Sequence, residues 1–324
     1  MRRFGNLGMF FLMGIVLVSH GANAFGWTPS KPVELVVPAA PGGGSDVMAR
    51  MMASIIESEK LSPVPFVVVN RPGGGSTVGM VSVAQQKGNP YTLMTYHSGM
   101  MMAGITSGVE LTRFKNYTPI ASIAIDEQLI VVRQDSPYKT AKDLVNAAKE
   151  KPGTVPVAGT YTGQDDHVCN RLLEIAANVK FRFVPFNSGG EVVTALLGGH
   201  VEAIWANPSE FAPQMEAKQV RPLGVAKEER IPYLSDTPTL KEQGYDATWK
   251  MFRGIVAPPD LPSEAKEYYE IVFKRLSDSP KWKDGYVKKY MLTPSWMGSQ
   301  ELTSYGNRQE ELSINILKEL GLLK

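Results

Sequence analysis

The residues of this chain that could do chemistry sit in three turns rich in glycine and small residues: APGGGSD (Ala40 to Asp46), NRPGGGS (Asn70 to Ser76) and HSG (His97 to Gly99). Turns of this composition serve a cofactor phosphate, an activated serine, or an anion held by main-chain amides. A dinucleotide fingerprint needs G-x-G-x-x-G, but Val47 follows Gly42 and Gly44, and Val78 follows Gly73 and Gly75. A P-loop needs a Gly-Lys pair, and the sequence has none. A nucleophile elbow needs G-x-S-x-G; Ser45 and Ser76 have valine in the last position, and Ser98 has Tyr96 in the first. His97, His167 and His200 lack the spacing of a metal site, so neither a metal nor a cofactor is expected. What remains is the plainer use. Glycine lets backbone N–H groups approach an anion closely, and a helix N-terminus adds free donors and a partial positive charge. That the glycines merely make tight turns stays open at this point.

The elements that must position these turns alternate in type. Val33 to Val37 reads as a buried strand, and Val47, Met48, Met51, Met52, Ile55 and Ile56 mark one face of a helix. The unit recurs with Phe66 to Val69 and Thr77 to Gln86, and Tyr91 to Tyr96 gives a third strand before His97-Ser98-Gly99. Alternation predicts a mostly parallel sheet covered on both faces, with ligands beyond the carboxyl ends of its strands. A second series follows: strand Leu129 to Val132, helix Ala141 to Lys149, strand Thr154 to Ala158, the turn GTYTGQDDH, a helix from Val168, Phe181 to Pro185, the turn FNSGGE, helix Val192 to Leu197, and strands Ala203 to Ala206 and Val220 to Ala226. A proline-rich stretch and a helical C-terminal part close the chain. Crossings near Ile123 to Val132 and Val220 to Ala226 predict two lobes, with a hinge and a cleft between them.

Arg2 and Arg3 before the apolar run Leu7 to Val18, which ends in Ala22-Asn23-Ala24, predict a secretory signal peptide over residues 1–24. The run is too short to span a bilayer, for which about 20 apolar residues are needed. The 34 Lys and Arg against 32 Asp and Glu become equal without Arg2 and Arg3, and no basic block is interleaved with aromatics, so nucleic-acid binding is not expected. Cys169, the single cysteine, has no internal partner and is expected to be buried and inert.

Taken in order, VVPAAPGGGSDVMAR, VVNRPGGGSTVG, PYTLMTY, VPFNSGGEVVTALLGGHVEAIWANPS, VRPLGVAKEERIPYLSDTPTLKEQGYD and GIVAPPDLP resemble the solute-binding receptors of tripartite tricarboxylate transporters, the Bug receptors. The resemblance covers nearly all of the chain beyond residue 24. It implies an α/β, two-lobed periplasmic binding protein of type II architecture, monomeric, without catalysis. Lobe I would be residues 25–125 plus 228–324 and lobe II residues 126–227. Such a receptor closes by hinge bending on a small di-, tri- or aromatic carboxylate and delivers it to membrane permease subunits. An exported serine hydrolase using Ser45 or Ser98, and a ligand-sensing receptor for a signalling protein, are the competing readings.

Carried over by motif, the implied ligand-binding residues are Ala40, Pro41, Gly42, Gly43, Gly44, Ser45, Asp46, His97 and Ser98 of the first lobe. The second lobe would add Thr160, Tyr161, Thr162, Gly163, Asp166, Asn187, Ser188, Gly189, Ala206 and Asn207. The chain departs from the family pattern at Asn89-Pro90, a rebuilt loop. It departs again at Ala206, where many members carry an acid or amide, and this argues against an amino-acid ligand. Arg253 replaces a common aromatic and could grip a second carboxylate bidentately or be an Asp/Glu-paired surface residue. Asp46 is better suited to capping its helix than to touching an anion. Tyr161 with Trp205, and Met100 to Met102, could line a pocket or fill the core.

Overall fold

The computed structural model describes residues 26–319 and 321–323; the expected signal peptide lies outside them. In chain order the elements are β1 (Val33–Val37), α1 (Gly44–Ser58), β2 (Phe66–Asn70), α2 (Thr77–Ala84), β3 (Thr92–His97), α3 (Ser98–Thr106), β4 (Thr118–Asp126), β5 (Leu129–Arg133), α4 (Ala141–Glu150), β6 (Pro156–Thr160), α5 (Asp165–Ala177), β7 (Arg182–Phe186), α6 (Gly189–Leu197), β8 (Ala203–Ala206), α7 (Pro208–Glu216) and β9 (Val220–Val225). They continue as β10 (Met251–Ala257), α8 (Ser263–Asp278), the short α9 (Pro280–Trp282), β11 (Thr293–Gly298) and α10 (Ser299–Glu319).

Two sheets result. One has the order β11-β4-β10-β3-β1-β2 and the other β7-β6-β8-β5-β9. Strands before residue 127 and after residue 250 build the first, and those between build the second. Each sheet is mixed, which corrects the expectation of mostly parallel pairing. β1 pairs in parallel with β2 and β3, but β10 runs antiparallel between β3 and β4, and β5 runs antiparallel between β8 and β9. The reason is the crossing: a chain that enters a sheet from the other lobe arrives at the opposite end.

Alternation along β1 shows how the layers are filled. Val33, Leu35 and Val37 join Met48, Ile55 and Ile56 of α1 and Tyr269 and Phe273 of α8, whereas Val36 faces Met80 and Met100 on the other side. The second sheet buries Leu129 and Val131 with Val192 and Leu196 of α6, and Ile130 and Val132 with Leu144 of α4 and Leu173 of α5. One apolar cluster contains Met100 to Met102 and Phe252 together with Cys169 and Trp205, so the two sheets share a core where α3 meets α5. Trp205 and the three methionines therefore fill the core.

Two residues, Glu127 and Gln128, separate β4 from β5. At this crossing Lys227 Nζ lies 2.8 Å from Glu127 Oε1, and Thr293 Oγ1 donates to the same oxygen at 2.8 Å. The start of the second crossing and the first residue of β11 are thereby pinned to the first crossing.

Candidate functional site

Between the sheets lies a cleft lined by residues from both. Its walls are helix starts. Gly43, Ser76 and His97 are the N-cap residues of α1, α2 and α3, and Gln164, Ser188 and Asn207 are those of α5, α6 and α7; all six line the cleft. Each sheet contributes three. The first-turn amides of a helix have no intrahelical partner, and its N-terminus carries about half a positive charge. Six such ends aimed at one space make it suited to an anion.

The α1 start has no side-chain cap, because its N-cap residue is Gly43, and its Gly44 N–H meets the Glu210 carboxyl from the other sheet. Asp46 instead reaches back, its Oδ2 accepting from Gly42 N–H at 2.9 Å, while Arg50 and Asn70 hold the rest of the carboxylate. Burial would raise its pKa, but the bonds from Arg50, Gly42 and Asn70 outweigh that and lower it. A side chain at position 44 has no room: a Cβ there would lie 2.5 Å from Arg253 Nη2.

Arg253 comes from β10, whose register sets it opposite His97 on β3. It is 1% exposed and forms an ion pair with Asp126, itself fully buried. The paired reading of Arg253 thus holds, but at a buried position. Burial works against its charge, yet the adjacent Asp126 carboxylate raises its pKa well above the ordinary value.

Asp165, at the start of α5, binds the other lobe. Its Oδ1 accepts from Ser98 Oγ and from Trp249 Nε1, both at 2.6 Å, and His97 Nδ1 lies 3.4 Å from its Oδ2. Burial pushes its pKa up, but the contacts from His97, Ser98 and Trp249 prevail and hold it low. Gln164 Nε2 also crosses, donating to Gly75 O at 3.2 Å.

The adjacent acid behaves differently. Asp166 Oδ2 accepts from the Thr160 N–H at 2.6 Å and from its hydroxyl at 2.9 Å, while Glu210 Oε2 accepts from Asn207 N–H at 3.1 Å in the capping box of α7. Burial raises both pKa values, Asp166 well above the carboxylate range, with Glu210's charge adding to the effect, and Glu210 to about 7.

Of the sequence-predicted residues, Ala40, Gly43, Gly44, Ser45, His97, Thr160, Tyr161, Asp166, Asn187, Ser188, Gly189, Asn207 and Arg253 line this cleft. Pro41, Gly42, Asp46, Ser98, Thr162, Gly163 and Ala206 do not. Asp46 and Ser98 are engaged as described, Gly163 donates its N–H to His167 Nδ1 at 3.1 Å, and Ala206 is fully buried in the core of the second sheet. The structure adds Ala39, Ser76, Gln128, Gln164, Asp165, Glu210 and Met251 to the wall. Ser76 and Gln164 were within reach of sequence reasoning, since each directly precedes a helix; Glu210 carried the Asn-x-x-Glu signature of a capping box. Gln128 and Met251 meet only through the crossings.

Two sheets joined by two crossings around a cleft of helix N-termini define a two-lobed periplasmic-binding-protein fold. The tripartite tricarboxylate transporter family receptor profile matches residues 48–322, and the chain belongs to that family. It is 30% identical over 254 residues, 78% of this chain and 73% of the relative, to a UPF0065 protein from the TAR-I ttuE-ttuC' intergenic region of Agrobacterium vitis. The periplasmic binding protein BugD superposes with a TM-score of 0.82 at 25% identity, covering 91% of this chain and 99% of BugD. An R. palustris protein solved with adipate has the same fold, with a TM-score of 0.83 at 23% identity over 90% of this chain and 98% of that one.

Proposed function

We propose that this protein is a periplasmic receptor that captures a small carboxylate in the cleft and passes it to the permease subunits of a tripartite tricarboxylate transporter. The observation that carries this reading is the set of six helix N-caps, three from each lobe, facing one enclosed space. Family membership and the adipate seen in the R. palustris protein support a carboxylate as the anion. Arg2, Arg3 and the apolar run to Val18 support export, and among the described residues no helix is long and apolar enough to cross a membrane.

In this reading lobe I is residues 25–125 plus 228–324, lobe II is residues 126–227, and the monomer closes about the crossings near Glu127 and Lys227. The anion is first held by the α1 amides of Gly43 and Ser45, and Asn187 to Gly189 and Thr160 to Tyr161 close over it. A ligand favours the closed form only by its greater affinity for that form. Ser98 does not support hydrolysis, because its hydroxyl proton is donated to Asp165 and its side chain is set back from the cleft.

The test is thermal unfolding of the refolded protein against a panel of carboxylic acids. Binding to the native state raises stability by RT ln(1 + [L]/Kd), about 2.7 kcal/mol at 100-fold excess over Kd. A concentration-dependent rise with a carboxylate that is not consumed supports the reading. A folded sample whose transition no carboxylate moves sinks it.

A further inference from the structure

The cleft of an anion receptor should be poor in carboxylates, and this one is not. Asp165, Asp166 and Glu210 all line it, with Asp126 directly behind Arg253. Among the described lining residues Arg253 is the one Arg or Lys, and it is ion-paired with Asp126. Asp165 is satisfied by Ser98 and Trp249. Asp166 faces the cleft with hydrogen bonds from Thr160 only, and Glu210 with bonds from the Asn207 and Gly44 N–H groups, while the Arg253 charge that acts on it is already ion-paired.

The chain makes room for this pair. A Cβ at Gly189 would sit 2.1 Å from Glu210 Oε1, and one at Gly159 would sit 2.5 Å from the Asp166 Cβ, so each acid in its present position occupies the space that a side chain there would need. A third acceptor stands with them. Gln128 is 1% exposed and lines the cleft, and its Oε1 has no hydrogen-bond partner while its Nε2 faces Met251 Sδ at 3.8 Å. A buried acceptor without a donor is costly, on the order of 1–3 kcal/mol, unless a ligand supplies one.

We propose that Asp166, Glu210 and the Gln128 carbonyl form an acceptor wall for a cationic nitrogen, so that the solute is a carboxylate that also carries an amino group. This rests on the receptor reading above and narrows its substrate class. The carboxylate end lies on helix-start amides that Glu210 leaves free, and the ammonium, with its three donors, meets the two carboxylates and the amide oxygen. A dianion would instead bring a second negative charge to Asp166 and Glu210, whose burial already disfavours ionisation, with the charge of Glu210 adding to this at Asp166 and that of Asp126 at Glu210. The departure at Ala206 does not argue against this, because Ala206 is in the core and Glu210, four residues on, brings the carboxylate to the cleft.

The experiment is titration calorimetry on the refolded full chain beyond residue 24 with acids that differ by one amino group: 2-aminoadipate against adipate, and phenylalanine against 3-phenylpropanoate. The amino member of at least one pair is expected to bind at least tenfold tighter. In E210Q, and in D166N as a second variant, that preference should shrink at least tenfold or invert, with an unchanged circular dichroism spectrum showing that the fold is intact. If the desamino acid binds as well as or better than its partner in every pair that binds, the acceptor wall is overturned and the carboxylate receptor stands. A preference that persists undiminished in both folded variants also overturns it. If neither member of any pair binds a folded sample while another carboxylate of the panel without an amino group does, this inference is overturned and the receptor reading stands; if no carboxylate binds at all, both fall.

Discussion

Ser98 at the start of α3 donates its hydroxyl to Asp165 at the start of α5, across the boundary between the two sheets, at 2.6 Å. Trp249, on the segment returning from the second sheet, donates to the same oxygen. The structure is therefore held shut in part by its own side chains. S98A removes one donor while Trp249 keeps Asp165 partly satisfied, a loss of about 1–3 kcal/mol for a hydrogen bond to a buried charge. The expected outcome is a larger radius of gyration by small-angle scattering and a weaker apparent affinity, since affinity falls with the closed fraction. An unchanged radius and affinity would show that the bond does not contribute to closure.

The Arg253–Asp126 pair should be destabilising to break and tolerable to replace. Removing one partner from a buried ion pair leaves an unpaired charge and costs about 3–5 kcal/mol, whereas exchanging both for apolar residues is often neutral. R253M and D126L alone should each lower the urea midpoint strongly, and the double variant should recover most of the loss. Additive losses would refute the pairing.

Two glycines two residues apart should respond differently. Gly44→Ala places a Cβ 2.5 Å from Arg253 Nη2 and 3.3 Å from Ser209 Oγ, displacing the guanidinium at the cleft floor. Ligand affinity should fall at least tenfold. Gly42 has φ 86° and nothing within 4 Å of a Cβ, so Gly42→Ala should cost about 1–2 kcal/mol of stability through left-handed backbone alone and leave affinity intact. Equal effects on affinity would contradict the placement of Gly44.

His167 stacks on Phe183 with ring centroids 4.3 Å apart, and its Nδ1 accepts from Gly163 N–H. Burial, assisted by Arg171, lowers its pKa from 6.5 to about 4. The unfolded chain therefore binds this proton first as pH falls, and stability declines between pH 6.5 and about 4. H167N keeps an acceptor for Gly163 but cannot titrate, so its melting temperature should depend less on pH in that window. Parallel curves for the two proteins would exclude His167 as a contributor.

Cys169 is 1% exposed, and burial together with the nearby Asp165 and Asp166 carboxylates raises its pKa far above that of a free thiol. A thiol reagent at neutral pH should leave the native protein unlabelled and modify one thiol per chain in denaturant. Rapid labelling of the native state would contradict this burial.

Much of the scaffold was legible in the sequence because period and turn chemistry are local. Val33 to Val37, Phe66 to Val69 and Ala203 to Ala206 read as strands because β-branched or apolar residues run between turn residues. β10 was not legible as a strand: in MFRGIVA a charged residue interrupts the apolar run, and Arg253 is tolerated there only because Asp126 waits beside it. β11, with Pro294 and Gly298, was likewise hidden, since its place at the edge of the sheet tolerates a missing donor. α3 was read as a turn with methionines after it because Gly99 to Ile105 carry no polar side chain to mark an outer face, as in a helix buried on nearly every side. Turn positions such as Gly43 and Ser188 were readable as helix starts, whereas the helix opened by Asn207 was not read, its segment carrying Pro208 and Pro213, and Gln128, Met251 and the Asp166–Glu210 neighbourhood arise from distant segments meeting.

The six helix starts give the cleft a receptive field written in the main chain. A peptide group has no side chain to delete and does not titrate in water, so that field stays constant from acid to alkaline pH and passes unnoticed in any alanine scan. What substitution can alter is the opposing set of acids and amides. Divergence at Asp166, Glu210 or Gln128 can therefore retune which acid is taken without dismantling the means of taking one.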